Sequence, residues 1–194
     1  MFFPFYIFFI LLFNLFGKPH TDACGCTPTR SSTYRHDAKY EKDAEKYPEH
    51  SGLITSQYVR DWEKLYRNKM KNVFEYSPRV KNTPEDSLYT LSGVIYAAEM
   101  NLHDCDLHLE IGTDYPNVLR TVAEIPKDNC KLQDEVMQQL KAKGFIIGSQ
   151  NSKGVKCTLK GLGFYDGKHP LKKSKKYEQG SAWEIHPVIS IELE

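Results

Sequence analysis

Apolar and polar positions alternate most cleanly between Asp104 and Gly112. Leu107, Leu109 and Ile111 fall on one side, and Asp106, His108 and Glu110 on the other. A period of two sustained over this length predicts a half-buried β-strand. The same period recurs in Val155, Cys157 and Leu159, set against Lys156, Thr158 and Lys160. It returns in Trp183, Ile185, Pro187, Ile189, Ile191 and Leu193, set against Glu184, His186, Ser190 and Glu192. Two further stretches rich in β-formers, Ser87 to Ala98 and Leu119 to Ile125, complete a set of five strands. Gly161 and Gly163 allow a bulge or bend after the fourth.

Spacing of three and four replaces the period of two in two places. Tyr58, Trp62, Leu65, Tyr66, Met70 and Val73 predict an amphipathic helix over 56–73 that packs on the domain or meets a partner. Leu132, Val136, Met137 and Leu140 predict another, capped at Asp128 or Asn129 and ended by Gly144. The order is three strands, a helix, then two strands. The expected fold is therefore mainly β with one helix between strands 3 and 4: an OB-fold-like five-stranded barrel preceded by an amphipathic helix. An open five-stranded α+β sheet would share that order.

Outside these elements the chain divides by composition. Met1 to Phe16 is apolar without a charged side chain, too short to span about 30 Å of hydrocarbon, and suits a signal peptide over 1–23. Residues 24–55 are polar and charged and read as a tether. Residues 56–83 hold the helix and a connection punctuated by Pro78, and 84–194 form the β domain. A secreted or cell-envelope location follows, with membrane contact only through the signal peptide or a lipid on Cys24, which follows Ala23. In an oxidising compartment some of Cys24, Cys26, Cys105, Cys130 and Cys157 should pair, and the odd count leaves one over.

The 194 residues carry 26 Lys and Arg against 25 acids, so any attraction for a charged partner has to be local. One local excess exists. Lys168, Lys172, Lys173, Lys175 and Lys176 stand between Asp166 and Trp183 with Glu178 as the only acid, a candidate anion-binding loop. The other candidate chemistry is the repeated acid-x-His form of Asp106-Leu107-His108 and Glu184-Ile185-His186, which presents a carboxylate and an imidazole on one side of each strand. Asp106, His108, Glu184 and His186 suit a divalent metal ion or acid–base work, with His103, Asp104, Asp166 and His169 near the ends of the same strands. If the second and fifth strands both flank the first, an ion can bridge them only across Ser92 or Gly93. The plainer expectation is a solvated polar face. No G-x-S-x-G, H-E-x-x-H, Walker or G-x-G-x-x-G sequence occurs, which removes the commonest enzyme classes.

Four blocks, D-C-D-L-H-L-E-I (104–111), T-V-A-E-I-P (121–126), G-L-G-F-Y-D-G-K-H (161–169) and W-E-I-H-P-V (183–188), resemble a family of small exported bacterial proteins. Its members read D-G-D-x-H-L-V-L, M-I-A-E-I-P, G-V-G-F-F-D-x-x-H and E-L-H-P-V. The resemblance spans about 79–194 and places Asp106, His108, Asp166, His169, Glu184 and His186 at the family's recurrent polar positions. It implies export and domain limits, and supplies no activity. Cys105 stands where the family has Gly, and the lysine loop replaces a shorter turn. The expectation is an envelope-associated or secreted binding domain for a polyanion or protein partner. The alternatives are a metal-dependent hydrolase such as a phosphodiesterase or nuclease, and a structural envelope protein.

Overall fold

The computed structural model describes residues 23–29, 35–113, 119–167 and 179–194. In chain order its elements are α1 (His36–Lys39), β1 (Glu49–Ile54), α2 (Ser56–Met70), β2 (Leu88–Met100), β3 (Leu107–Gly112), β4 (Arg120–Ile125), α3 (Cys130–Ala142), β5 (Gln150–Tyr165) and β6 (Gln179–Leu193). The signal peptide, His169 and the five loop lysines lie outside the described residues.

The protein is mainly β and its sheet closes on itself. β2 pairs antiparallel with both β3 and β5, β3 with β4, and β5 with β6, while β4 and β6 run parallel. These five strands form a closed barrel, consistent with an OB-fold. Closure gives each of the five strands a partner on both sides and the alternating apolar residues a common interior. Leu91, Ile95, Leu107, Leu109, Ile111, Ala123, Ile125, Leu159 and Ile185 are fully or almost fully buried there. Each large aliphatic side chain contributes roughly 1.5–3 kcal/mol by leaving water. A register shift between Ile95 and Ala97 hands the inward role on β2 to Ala98. Similar shifts fall at Gly161 and Gly163, where β5 bends along β6. A side chain at Gly161 would meet Ile185 Cγ2 at 2.5 Å and the Pro187 carbonyl at 2.6 Å, so the close approach requires glycine.

Two segments differ from the sequence reading. Helix α2 turns Val59, Trp62 and Met70 inward, with Trp62 set edge-on to Trp183 at 5.6 Å between centroids. Leu65, 71% exposed, and Tyr58 fall on its outer side. The larger correction concerns the expected tether. Residues 35–54 belong to the folded domain: β1 runs parallel to β2 along Leu88–Leu91, and Arg35, Ala38, Lys39 and Ala44 are buried. A segment without an apolar stripe is buried here because its charges find partners inside. With β1 and two helices ahead of the five barrel strands, the main helix, expected between strands 3 and 4, lies between β4 and β5.

Disulfides Cys24–Cys130 and Cys26–Cys105 fasten the start of this segment to α3 and to the turn before β3. The Cys24 sulfur, the candidate lipid acceptor, is here bonded to Cys130. Cys105 has φ 66°, a left-handed conformation that favours Gly, the residue found there in the resembling family. Cys157 is the free, buried cysteine, and burial pushes its thiol up to about 12. The disulfides are compatible with an oxidising compartment. Among the described residues, no helix is long and apolar enough to cross a membrane.

Candidate functional site

Strand alternation puts Asp106 and His108 (β3 and its entry), Glu124 (β4), and Glu184 and His186 (β6) opposite the barrel interior. Strand order then sets them side by side, because β4 lies between β3 and β6. His108 is the cross-strand partner of Glu124, and Val122 pairs with Glu184. The two imidazoles therefore meet across one carboxylate. His108 Nδ1 is 3.1 Å from Glu124 Oε1, and His186 Nδ1 is 2.8 Å from Glu124 Oε2. The bridge runs over Glu124, not over Ser92 or Gly93, since the fifth barrel strand neighbours the third and fourth, not the first.

Most of this outer face is covered, with His108 still partly exposed. Helix α1 lies over it and inserts Lys39, whose ammonium is 2.8 Å from Asp104 Oδ2, 3.0 Å from Asp106 Oδ2 and 3.3 Å from Glu124 Oε2. The Tyr40 hydroxyl donates to Asp106 at 3.2 Å, and Asp106 also accepts the Lys127 amide at 2.9 Å. Asp106 and His186 are wholly buried, Glu124 and Glu184 almost so. His186 sits between the rings of Tyr40 and Phe164. Neither of its nitrogens has an aligned hydrogen bond, and Nε2 is 3.8 Å from Asp106 Oδ2. Glu184 Oε1, 3.7 Å from His186 Nδ1, is also without a hydrogen-bond partner. Asp166, just beyond β5, stays outside the cluster but near enough to help raise the Glu184 carboxyl. Sequence reasoning missed Glu124 and Lys39. Glu124 stood in the A-E-I-P block as a lone acid between buried apolar neighbours, a usable signal. Lys39 carried none.

Electrostatics separate these groups. Burial raises the Glu184 carboxyl to about 7, reinforced by the neighbouring Glu124 charge. Burial works against charged His186, but its contacts with Glu124 and Glu184 outweigh that and hold it at about 9. Burial would raise Glu124 too, yet Lys39, His108 and His186 together keep it well below the ordinary range. Asp106 is raised by burial against the pull of His186 and Lys39. His108 is raised by its bond to Glu124, which overcomes burial. The Lys39 ammonium is held charged by Glu124, Asp106 and Asp104 despite burial.

Both raised values act on stability in the same direction. Below the unfolded carboxyl value of 4.5 the Glu184 contribution is complete, and it is lost as pH rises to about 7. The His186 contribution is complete below 6.5 and is lost as pH rises to about 9. The folded state binds the extra proton throughout, so unfolding free energy should fall between pH 5 and 9. A loss on the order of 3 kcal/mol is expected, because the two groups share one interaction. Urea titrations across that range test it. Stability flat or rising from pH 5 to 9 would contradict a charged, buried His186.

Beside the cluster opens a cavity of about 460 Å³, lined by Tyr40, Lys42, Pro126, Asn129, Pro187 and Ile189 among others. Tyr40 connects the two, facing the cavity while bonding Asp106.

No protein-family model and no curated protein matches the chain. Among solved structures, the crystal structure of yeast Stn1 and Ten1 is similar at 15% identity, over 77% of this chain and 65% of that one, with a TM-score of 0.28. The chain thus spans a little under two thirds of that structure's length. A likeness this low carries no weight, and the barrel rests on its own strand pairing.

Proposed function

We propose that the protein is an exported OB-like binding domain whose ligand is a polyanion, met by the lysine-rich loop between β5 and β6. The observation that carries this reading is the Lys39 ammonium among three carboxylates. It closes the acid–His face against substrate and takes the place where a hydrolase would need its metal ion. The cluster then serves the fold by holding β3, β4 and β6 together beneath α1, as a structural reading also has it. Binding is left to the rim. In OB-type barrels the loop joining the last two strands borders the ligand groove, and here its sequence supplies Lys168, Lys172, Lys173, Lys175 and Lys176.

The test is retention on heparin, followed by affinity for a single-stranded oligonucleotide as a function of salt. Replacing all five lysines by Gln should advance elution and flatten the log–log salt slope by up to about 3.5, the release expected for five contacts on a single strand. Unchanged elution and slope would reject the polyanion and leave a protein partner as the ligand to seek.

A further inference from the structure

We infer that Lys39 is a built-in cation plugging a latent divalent-metal site whose ligands are Asp106, Glu124 and His186. One donor atom from each of these buried residues lies within 4.8 Å of the others. Donors on opposite sides of a first-row divalent ion at 2.0–2.2 Å stand roughly 4.0–4.4 Å apart. The three donors thus exceed that span by less than about an ångström at most, and the ammonium stands 3.0 Å from Asp106 and 3.3 Å from Glu124. Two carboxylates and one imidazole are the donors that Mn²⁺, Fe²⁺ and Zn²⁺ accept.

A second observation points to a ligand independently of the acids. His186 is wholly buried, faces the cluster, and has no aligned hydrogen bond at either nitrogen. Such a ring is costly to bury unless something satisfies it. Nδ1 approaches Glu124 closely, but Nε2 turns toward Asp106 at 3.8 Å, too far for a hydrogen bond. Lys39, a donor like a protonated ring, does not repair this. A metal ion would displace the ring proton and take the lone pair it leaves.

The plug comes from outside the barrel. Lys39 arrives on α1, a single turn anchored at Arg35, whereas Glu124 and His186 lie on β4 and β6 and Asp106 at the entry to β3. The full exported chain with Lys39→Met should bind one Mn²⁺ or Zn²⁺, roughly 100-fold or more tighter than the parent, because a unit charge a few ångströms from the ion is gone. Its thermal midpoint should be lowered without metal and restored by it. Adding Glu124→Gln should abolish the gain, whereas Lys42→Met, which removes an exposed lysine beside Asp128, should bind like the parent.

Calorimetry of the four proteins with each metal, with Lys39→Gln as a second plug variant, decides the matter. Folded Lys39 variants that bind no better than the parent overturn the inference. So does a gain that survives Glu124→Gln, which would mark adventitious surface binding. Lys39 variants that stay unfolded with either metal present overturn it equally, since an ion that fits would replace the lost ammonium.

Discussion

Reduction of both disulfides is expected to lower the unfolding free energy by roughly 5–8 kcal/mol, the largest effect of any single treatment. The links join residues 106 and 79 positions apart, and a closed loop near one hundred residues is worth about 4.7 kcal/mol in chain entropy. The loops are nested, so the second link closes a shorter effective loop and the two contributions do not add in full. Much of a typical domain's 5–15 kcal/mol therefore resides in cross-links that pin one short segment to α3 and to the turn before β3. The packing consequence is local as well. Thr29, whose amide donates to Leu102 O at 3.0 Å, loses its tether. Urea unfolding with and without a phosphine reductant measures the loss, and the slope should steepen as the unfolded chain expands. A change below about 1 kcal/mol would mean that the links constrain little, and Cys24→Ser with Cys26→Ser would then be equally mild.

Much of the barrel was legible because burial on one face forces alternation, and alternation can be read without knowing which strands are neighbours. Leu107, Leu109 and Ile111 show this plainly. Strand adjacency is not encoded that way. Placing the fifth barrel strand beside the first separated His108 from His186 by the wrong strand, and so hid Glu124. The parallel pairing of β4 with β6 is a long-range contact that no local pattern announces. Residues 35–54 were illegible for a different reason. Hydrophobicity marks a segment that is buried for its apolar surface, whereas Arg35 and Lys39 are buried for their charge, on carboxylates supplied from far along the chain. Composition treats such a segment as solvated. The structure brings the two acid-x-His motifs into one cluster, and the element that covers it is the segment whose composition reads as a tether.

Replacement of Glu85 by Ala should cost about 3–5 kcal/mol, because it strands a buried guanidinium. Glu85 and Arg35 have wholly buried side chains and form a two-pronged pair, 2.5 Å to Oε1 and 2.7 Å to Oε2. The carboxylate also accepts the amides of Val80 at 2.8 Å and Tyr165 at 2.9 Å. Arg35 in turn donates to the carbonyls of Ser77, Pro78 and Tyr165 and lies over the Phe164 ring. One side chain thereby ties the start of α1 to the loop after α2 and to the end of β5. Alanine would leave the buried guanidinium without its counter-ion and two amides without their acceptor. The sign of the argument is tested by a double variant. Arg35→Met with Glu85→Leu removes both charges and should be more stable than Glu85→Ala alone, as expected when the penalty comes from an uncompensated ion and not from the lost attraction. Denaturant midpoints of the two variants decide it. If Glu85→Ala falls within about 1 kcal/mol of the parent, Arg35 has found water, and the segment that delivers Lys39 to the acid–His cluster is held by something other than this pair.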